Sequence, residues 1–226
     1  MPSHPRQLAL ALDHAENHAR EDFLSGPCNE GAVQFIDCWP DWPANAIALI
    51  GPEGSGKTHL AMIWAAAAGA RVIAARSLSE TALPAALVTG ALVVEDAAAA
   101  EDRALFHLIN LAREESASLL LTAMTAPATW PAAIPDLVSR LRALPVATLQ
   151  APDDAMLRAV IVKLATDRQL PLDESVVGYL STHIERSFAA ARAAVIALDN
   201  EALRQRRPAT RALAAEIFRG EASPGG

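Results

Sequence analysis

The residues with the clearest chemical potential in this sequence run from Gly51 to Thr58, in the order Gly-Pro-Glu-Gly-Ser-Gly-Lys-Thr. Their order fits the spacing Gly-x-x-x-x-Gly-Lys-Ser/Thr, which is typical of loops that bind the phosphates of a nucleotide. Glycines allow backbone N–H groups to approach the phosphates, the lysine supplies a cation, and the threonine hydroxyl can bind Mg²⁺. The sequence therefore predicts a phosphate loop (residues 51–58) that binds a nucleotide together with Mg²⁺.

The residues on either side of the phosphate loop support this interpretation. An apolar run at residues 46–50 predicts a buried strand, and good helix formers at residues 60–67 predict a helix. A phosphate loop requires this strand–loop–helix order. The alternative, a glycine-rich turn with a chance lysine, does not need Lys57 and Thr58 together. The predicted nucleotide-binding residues are Gly51, Gly54, Ser55, Gly56, Lys57, Thr58, His59 and Thr122.

Two carboxylates follow the apolar run at residues 91–94 and are candidates for catalysis. In phosphate-loop NTPases one carboxylate lies near Mg²⁺, and a neighbouring one can orient an attacking water. We therefore predict Glu95 and Asp96 as catalytic residues and Thr58 and Glu95 as Mg²⁺ ligands; an ordinary acidic strand end is the alternative. Thr122 ends a later apolar run, where it can sense the γ-phosphate or simply be a satisfied surface residue.

Apolar runs alternate with helical stretches through the first two thirds of the chain. This alternation is typical of a parallel sheet buried on both faces, and right-handed crossovers then produce a doubly wound α/β layer. We predict five strands, at residues 46–50, 71–75, 91–96, 118–122 and 146–149. Beyond residue 152 the pattern predicts only helices, at residues 153–168, 173–184, 187–205 and 210–219, with Asp153 and Ser187 as N-caps.

The change of pattern near residue 152 divides the chain. We predict an N-terminal peptide and linker at residues 1–20, a nucleotide-binding α/β domain at residues 21–152 and a small all-α domain at residues 153–226. Hydrophobic residues make up 52% of the chain, which is enough for the α/β domain to bury a core.

The charge and the cysteine content argue against several functional classes. The net charge of −7 disfavours non-specific binding to DNA or to an anionic membrane. The two cysteines, Cys28 and Cys38, are too few for a disulfide scaffold, and we expect free thiols in a reducing compartment. The sequence shows neither a signal peptide nor an apolar stretch long enough for a membrane span, so we expect a cytoplasmic protein.

The motifs together resemble a known family. The phosphate loop, the acidic pair, the Ser-Arg-Leu element at residues 139–141 and the helical C-terminal region are similar to the AAA+ module of the bacterial replication initiator DnaA. Residues 23–29 also resemble the segment that leads into this module, where the adenine is contacted. The resemblance covers residues 20–219 and implies an AAA+ fold, with ADP or ATP and Mg²⁺ as cofactors.

Arg140 lies in a predicted short helix at residues 136–142, before the fifth strand. In ring-forming NTPases an arginine at this place acts in trans, on the nucleotide of the neighbouring subunit. The resemblance therefore implies that Arg140 is catalytic toward a partner's nucleotide. Arg142 is a rival candidate, and a solvated surface arginine is the alternative.

Two features distinguish the chain from the initiator itself. The sequence ends after the helical region, so we expect no DNA-binding domain and no direct sequence-specific DNA binding. Near its start, Gln-Leu-Ala-Leu-Ala-Leu at residues 7–12 is similar to the sliding-clamp-binding motif of Hda, the short homologue that inactivates the initiator, with Ala11 in place of the usual proline. A strand or helix turn packed on the body is the alternative. The implied partner-binding residues are Gln7, Leu8, Leu10 and Leu12.

Other positions depart from the family pattern in ways that affect the expected activity. Glu95 stands where the family usually has aspartate, and Ala189 stands where an arginine of the C-terminal helices contacts phosphates. Arg186 and Arg192 are the two candidates to replace that arginine, and the alternative is that neither does. These differences favour nucleotide binding with weak or no intrinsic hydrolysis.

The resemblance implies an Hda-like negative regulator of chromosomal replication initiation. Its expected partners are the DNA polymerase III sliding clamp (β subunit) and the DnaA initiator, whose ATP hydrolysis it promotes; a homodimer is a further candidate assembly. One alternative is a free-standing AAA+ ATPase or a helicase-loading factor, although the net charge of −7 disfavours binding to single-stranded DNA. Another is a DnaA-related protein that targets the initiator to a different partner.

Replacing Gln7, Leu8 and Leu10 together by alanine tests the clamp motif. If these residues form an exposed docking peptide, the full-length variant loses binding to purified sliding clamp and keeps the wild-type melting temperature, because an exposed peptide contributes little to the core. Surface plasmon resonance and thermal unfolding measure the two quantities. Unfolding several degrees earlier, the effect of losing about 1 kcal/mol, would place the leucines in the core instead.

Overall fold

The computed structural model describes residue 20 and residues 23–218 of the chain. The predicted clamp-binding residues, Gln7, Leu8, Leu10 and Leu12, lie outside the described residues, so their role stays a prediction. In the described part, a parallel sheet with flanking helices is followed by a separate group of helices.

Five parallel strands form the sheet in the described residues, and the phosphate loop follows a strand that has neighbours on both sides. The strands are β1 (Ala46–Ile50), β2 (Arg71–Ala74), β3 (Ala91–Glu95), β4 (Ser118–Ala123) and β5 (Val146–Thr148), in the spatial order β2-β3-β4-β1-β5. Because parallel strands share one direction, the carboxyl ends of β1, β3 and β4 meet at the same edge. This edge carries the phosphate loop, the acidic pair and Thr122.

Helices cover both faces of the sheet. On one face lie α1 (Glu30–Asp37) and α2 (Lys57–Ala68), and on the other lie α3 (Leu83–Ala86), α4 (Asp102–Glu114) and α5 (Pro135–Ala143). Side chains along a strand point alternately to its two faces, so a continuous apolar run supplies a core on each side.

The buried side chains of the strands accordingly form two hydrophobic clusters, one on each face of the sheet. Ile47 and Leu49 of β1 pack with α1 and α2, whereas Leu92 and Val94 of β3 pack with α3, α4 and α5. All four side chains are fully buried. The predicted doubly wound α/β fold with a five-stranded parallel sheet is confirmed.

The last helices of the described chain form a group that we call the lid: α6 (Asp154–Asp167), α7 (Glu174–His183), α8 (Phe188–Gln205) and α9 (Arg211–Phe218). All four contribute to one further hydrophobic cluster. The predicted all-helical C-terminal region is confirmed, whereas the domain boundary at residue 152 stays a prediction. No helix in the described part of the chain is long and apolar enough to cross a membrane.

A side chain caps the N-terminus of each of the four lid helices, with Thr210 as the cap of α9. Asp153 Oδ1 accepts a hydrogen bond from the Met156 N–H at 2.7 Å, and Ser187 Oγ accepts one from the Ala190 N–H at 3.0 Å. These bonds satisfy N–H groups that the first turn of a helix leaves unpaired. Both predicted N-caps are confirmed, and Asp173 caps α7 in the same way.

Four strand ends differ by one residue from the predictions: β2, β3 and β5 end one residue earlier, and β4 ends one residue later. β3 ends at Glu95 because Asp96 adopts φ 54° and ψ 43°, a left-handed conformation that cannot continue a strand. β4 continues through Ala123, which pairs with Ile50 at the end of β1. The chain therefore turns sharply at Asp96, directly after β3.

Candidate nucleotide-binding site

The phosphate loop connects the end of β1 to the start of α2. Gly54 and Gly56 have φ values of 70° and 91°, in the left-handed region that residues with a Cβ disfavour. Gly56 directly precedes α2, so its conformation turns the chain into the helix that begins at Lys57. The unpaired N–H groups of the first turn of α2 therefore belong to the loop, as an anion-binding helix N-terminus requires.

Lys57 folds back across the phosphate loop. Its Nζ donates hydrogen bonds to the carbonyl oxygens of Gly51 at 2.9 Å and Pro52 at 2.8 Å. Burial lowers the pKa of Lys57, and the carboxylates of Asp96 and Glu53 oppose this effect in part. Because neutral carbonyl groups hold the side chain in place, its charge is available to a phosphate, an acceptor that forms a stronger hydrogen bond.

The buried hydroxyl of Ser55 indicates that the loop fits a ligand. The residue is 1% exposed, and its Oγ has no hydrogen-bond partner among residues 20 and 23–218. A buried hydroxyl without a partner costs about 1–3 kcal/mol. A ligand oxygen at the loop would satisfy it, so the residues present fit a bound phosphate chain.

Aromatic side chains lie around the last glycine of the loop. Ring carbons of Phe23 and Phe188 come within 3.6 and 3.5 Å of the position that a Cβ would take on Gly56. His59, in the first turn of α2, packs edge-on against Phe23 with ring centroids 5.2 Å apart, and Thr58 beside it is exposed. The segment before β1, the phosphate loop and the lid thus meet at the predicted nucleotide-binding residues.

Asn29 fixes the path of the segment before α1. The residue is 1% exposed, its Oδ1 accepts a hydrogen bond from the Gly26 N–H at 2.8 Å, and its Nδ2 donates one to the Leu24 carbonyl at 2.9 Å. Both polar atoms of this side chain therefore bond to the backbone of its own turn. The adenine contact that the resemblance implies for residues 23–29 stays a prediction.

The acidic pair and Thr122 meet at the ends of β3 and β4. Glu95 is half-buried, and Asp96 is exposed. Thr122 is only 2% exposed, and its Oγ1 accepts a hydrogen bond from the Asp96 N–H at 3.2 Å. Thr122 is therefore a buried residue that supports the left-handed turn at Asp96, not a residue of the surface. Its predicted role as a γ-phosphate sensor stays a prediction.

The lid makes direct contact with the phosphate loop. The Phe188 N–H, in the first turn of α8, donates a hydrogen bond to the Gly54 carbonyl at 2.9 Å. A Cβ on Gly54 would lie 2.7 Å from the Cβ of Ser187 and 3.2 Å from that of Ala189, so this approach requires glycine. The methyl group of Ala189 thus lies against the loop, at the position where the resemblance implies an arginine.

Arg186 and Arg192, the two candidates to replace that arginine, lie on either side of this contact. Arg186 precedes α8, and its guanidinium forms an ion pair with Asp154 at 2.8 Å. Arg192 lies one turn along α8 and is half-buried. The replacement of that arginine by Arg186 or by Arg192 stays a prediction.

The structure distinguishes Arg140 from its rival Arg142 on α5. The Arg140 side chain is half-buried, and its Cζ lies 5.4 Å from the centroid of the Phe106 ring on α4. Arg142, two residues further along, is exposed. Arg140 therefore lies over an aromatic ring, whereas Arg142 is exposed to solvent.

The Mg²⁺ ligands predicted from sequence are Thr58 and Glu95. Within the described ranges, no three histidine, cysteine, aspartate or glutamate side chains form a cluster that could hold a metal ion. Mg²⁺ in NTPases is usually bound by one or two protein groups together with phosphate oxygens and water. The roles of Thr58 and Glu95 stay predictions.

No protein-family model and no curated protein matches the sequence. Solved structures do match the fold. Domain III of the replication initiation protein DnaA from Thermotoga maritima superposes with a TM-score of 0.76 at 19% identity, over 93% of this chain and 99% of that domain. AMPPCP-bound DnaA from Aquifex aeolicus gives 0.68 at 19% identity, over 84% and 67% of the two chains.

A motor protein shares the fold as well. The RuvB Holliday junction branch migration motor of Thermotoga maritima matches with a TM-score of 0.65 at 16% identity, over 77% of this chain and 61% of RuvB. At such identities the likeness shows the fold alone. The chain has the AAA+ fold of DnaA domain III, as the motifs predicted.

Lys57→Ala tests whether the phosphate loop binds a nucleotide. We expect affinity for ADP to fall about 10- to 150-fold, since a hydrogen bond to a charged group contributes about 1.5–3 kcal/mol. Equilibrium titration with a fluorescent ADP analogue measures the change. Lys163→Ala is the matched control, because Lys163 is paired with Asp167 on α6 of the lid. Equal affinity of Lys57→Ala and wild type would show that the loop is not the binding site.

Proposed function

We propose that this chain binds ADP or ATP with Mg²⁺ and regulates the nucleotide hydrolysis of a partner AAA+ protein. The contact between the lid and the phosphate loop is the main support for this proposal. Ala189, which has no charge, lies against Gly54 at the position where the resemblance implies an arginine. A site that lacks this lid cation can still bind phosphates through the loop, but it stabilises less of the charge that develops during hydrolysis.

Different residues of the chain are proposed to bind the phosphates, the Mg²⁺ ion and the base. Lys57 and the loop N–H groups bind the phosphates, and the Ser55 hydroxyl gains a partner there. Thr58 and Glu95 hold Mg²⁺, which neutralises phosphate charge when bound. Adenine as the base agrees with the Aquifex aeolicus DnaA structure, which contains AMPPCP. Residues 23–29 are the proposed base contact.

Asp96 is the proposed orienting group for an attacking water. Its backbone is set by the hydrogen bond to Thr122, and its carboxylate lies near enough to Lys57 to influence the pKa of that lysine. Glu95 carries one methylene more than the aspartate usual at its position, which changes its distance to a bound Mg²⁺. Together with Ala189, this change makes intrinsic hydrolysis slow.

Arg140 is the residue proposed to act on the nucleotide of the partner. Its guanidinium is half-buried on α5, and among the described residues it makes neither a hydrogen bond nor an ion pair. An arginine supplied in trans stabilises the charge on a transferring phosphoryl group. The proposed partner is the DnaA initiator in its ATP-bound form, and faster hydrolysis would end its ability to initiate.

The proposed role includes docking on the sliding clamp through Gln7, Leu8, Leu10 and Leu12. This would make the chain an Hda-like negative regulator of replication initiation, active at DNA-loaded clamps. A homodimer is a further proposed assembly, in which Arg140 of one copy would approach the nucleotide of the other.

The alternative is a free-standing AAA+ ATPase or a DNA- or helicase-loading factor. One DnaA of the same fold has been solved with AMPPCP and single-stranded DNA, and this observation favours the alternative. The net charge of −7 opposes it, because binding to a nucleic acid backbone depends on cationic groups. Intrinsic turnover on the order of 1 s⁻¹ or faster, together with binding to single-stranded DNA, would support the loading factor.

Ala189→Arg tests whether the uncharged lid position limits the chain's own site. We expect affinity for ATP to rise about 10- to 150-fold and single-turnover hydrolysis to accelerate, because the new cation forms a charge-assisted hydrogen bond with a phosphate. Fluorescent ATP titration and rapid-quench hydrolysis measure the two effects. Ala193→Arg, at an exposed position one turn along α8, adds the same charge away from the loop and should change neither. No gain in Ala189→Arg would remove the basis of the proposal.

Arg140→Ala tests the action in trans. We expect the variant to bind nucleotide as the wild type does and to lose most of the stimulation of DnaA ATP hydrolysis, a factor of up to about 10³ in rate. Phosphate release from radiolabelled ATP–DnaA, with loaded clamp present, measures the stimulation. Arg142→Ala is the matched control and should retain it. Full stimulation by Arg140→Ala would refute this role.

A further inference from the structure

The Arg140 guanidinium rests on the face of an aromatic ring. Its Cζ lies 5.4 Å from the centroid of Phe106, which is within the range of an attractive cation–π contact. The contact follows from helix periodicity. Leu137 and Leu141 of α5 are buried in the core, so Arg140 lies at the flank of the buried stripe, on the side packed toward α4. Phe106 occupies the corresponding flank of α4.

No acidic side chain competes for this guanidinium. Asp136 stands four residues before Arg140 on the same helix, at a spacing that allows an ion pair. The two side chains nevertheless do not approach within 4 Å, and no other carboxylate in the described part of the chain pairs with Arg140. Among the described residues, the Phe106 ring is therefore the group with an attractive contact to this cation.

An aromatic contact has a different chemical consequence from a salt bridge. A carboxylate would neutralise the arginine and occupy its N–H donors, whereas a ring face attracts the cation without accepting a conventional hydrogen bond. The five donors of the guanidinium stay free for an oxyanion. Restricting the side chain beforehand also reduces the rotamer entropy that it loses when it binds one.

We propose that Phe106 is the positioning residue for Arg140, holding its guanidinium in a pose ready for a phosphate oxyanion on the nucleotide of a partner protein. This inference rests on the function proposed above. Phe106 acts through Arg140 and touches neither the partner nor the nucleotide. The aromatic face is the property that matters, and the apolar volume of the side chain alone is not sufficient.

Phe106→Leu and Phe106→Tyr separate these two properties. Leucine keeps an apolar side chain against the core but removes the ring face, whereas tyrosine keeps the face. We expect stimulation of DnaA ATP hydrolysis by full-length Phe106→Leu to fall about two- to fivefold and that by Phe106→Tyr to stay at the wild-type level. Combining Phe106→Leu with Arg140→Ala should add no loss to that of Arg140→Ala, because both act through one group.

The pose itself has a spectroscopic signature that does not depend on any partner. The Arg140 guanidinium lies over the ring, so its protons should show an upfield ring-current shift in NMR spectra of the full chain. We expect this shift to disappear in Phe106→Leu and to persist in Phe106→Tyr. Arg142, which is exposed, is the internal control and should show no shift in any variant. Thermal unfolding of each variant checks that the fold is intact.

The outcomes distinguish a failure of the positioning role of Phe106 from a failure of the proposed function of Arg140 in trans. Loss of both shift and stimulation in Phe106→Leu, with both retained in Phe106→Tyr, supports the positioning role. Unchanged stimulation in a Phe106→Leu variant that has lost the shift overturns it, as does an equal loss in Phe106→Tyr, which would indicate packing alone. If the wild type shows the shift but stimulates no DnaA hydrolysis, the function in trans fails and the positioning role fails with it.

Discussion

The hydrogen bond from the Phe188 N–H to the Gly54 carbonyl is the contact on which the candidate site depends. It joins the lid, which has its own hydrophobic core, to the phosphate loop at the edge of the sheet. The two backbones can come this close only because residue 54 has no Cβ. The same contact brings the Ala189 methyl group against Gly54.

Parallel strand pairing supplies the second constraint. β4 lies between β3 and β1, so Thr122 near the end of β4 is buried. Its hydroxyl group is therefore shielded from water and needs a hydrogen-bond partner within the protein. It accepts the Asp96 N–H and so supports a left-handed turn directly after the strand. The carboxylate of Asp96 is then near enough to Lys57 to oppose the effect of burial on the pKa of that lysine.

Two cationic side chains, Lys57 and Arg140, lie in different parts of the fold. Lys57 serves the chain's own phosphate loop, at which the lid presents an alanine. Arg140 belongs to a different helix on the opposite face of the sheet, and an aromatic ring holds it without neutralising it. The alanine at the loop and the arginine without an ion pair are the two observations behind the proposed action on a partner.

The sequence by itself determined the phosphate loop, the order of strands and helices, and the caps Asp153 and Ser187. Each of these depends on spacing or periodicity within a few residues, which a local pattern can express. Only the tertiary structure decided that Phe188 binds Gly54, that Thr122 is buried under Asp96, and that Arg140 rests on Phe106. These pairs are distant in the chain and meet because whole elements pack together, so no local signal specifies them.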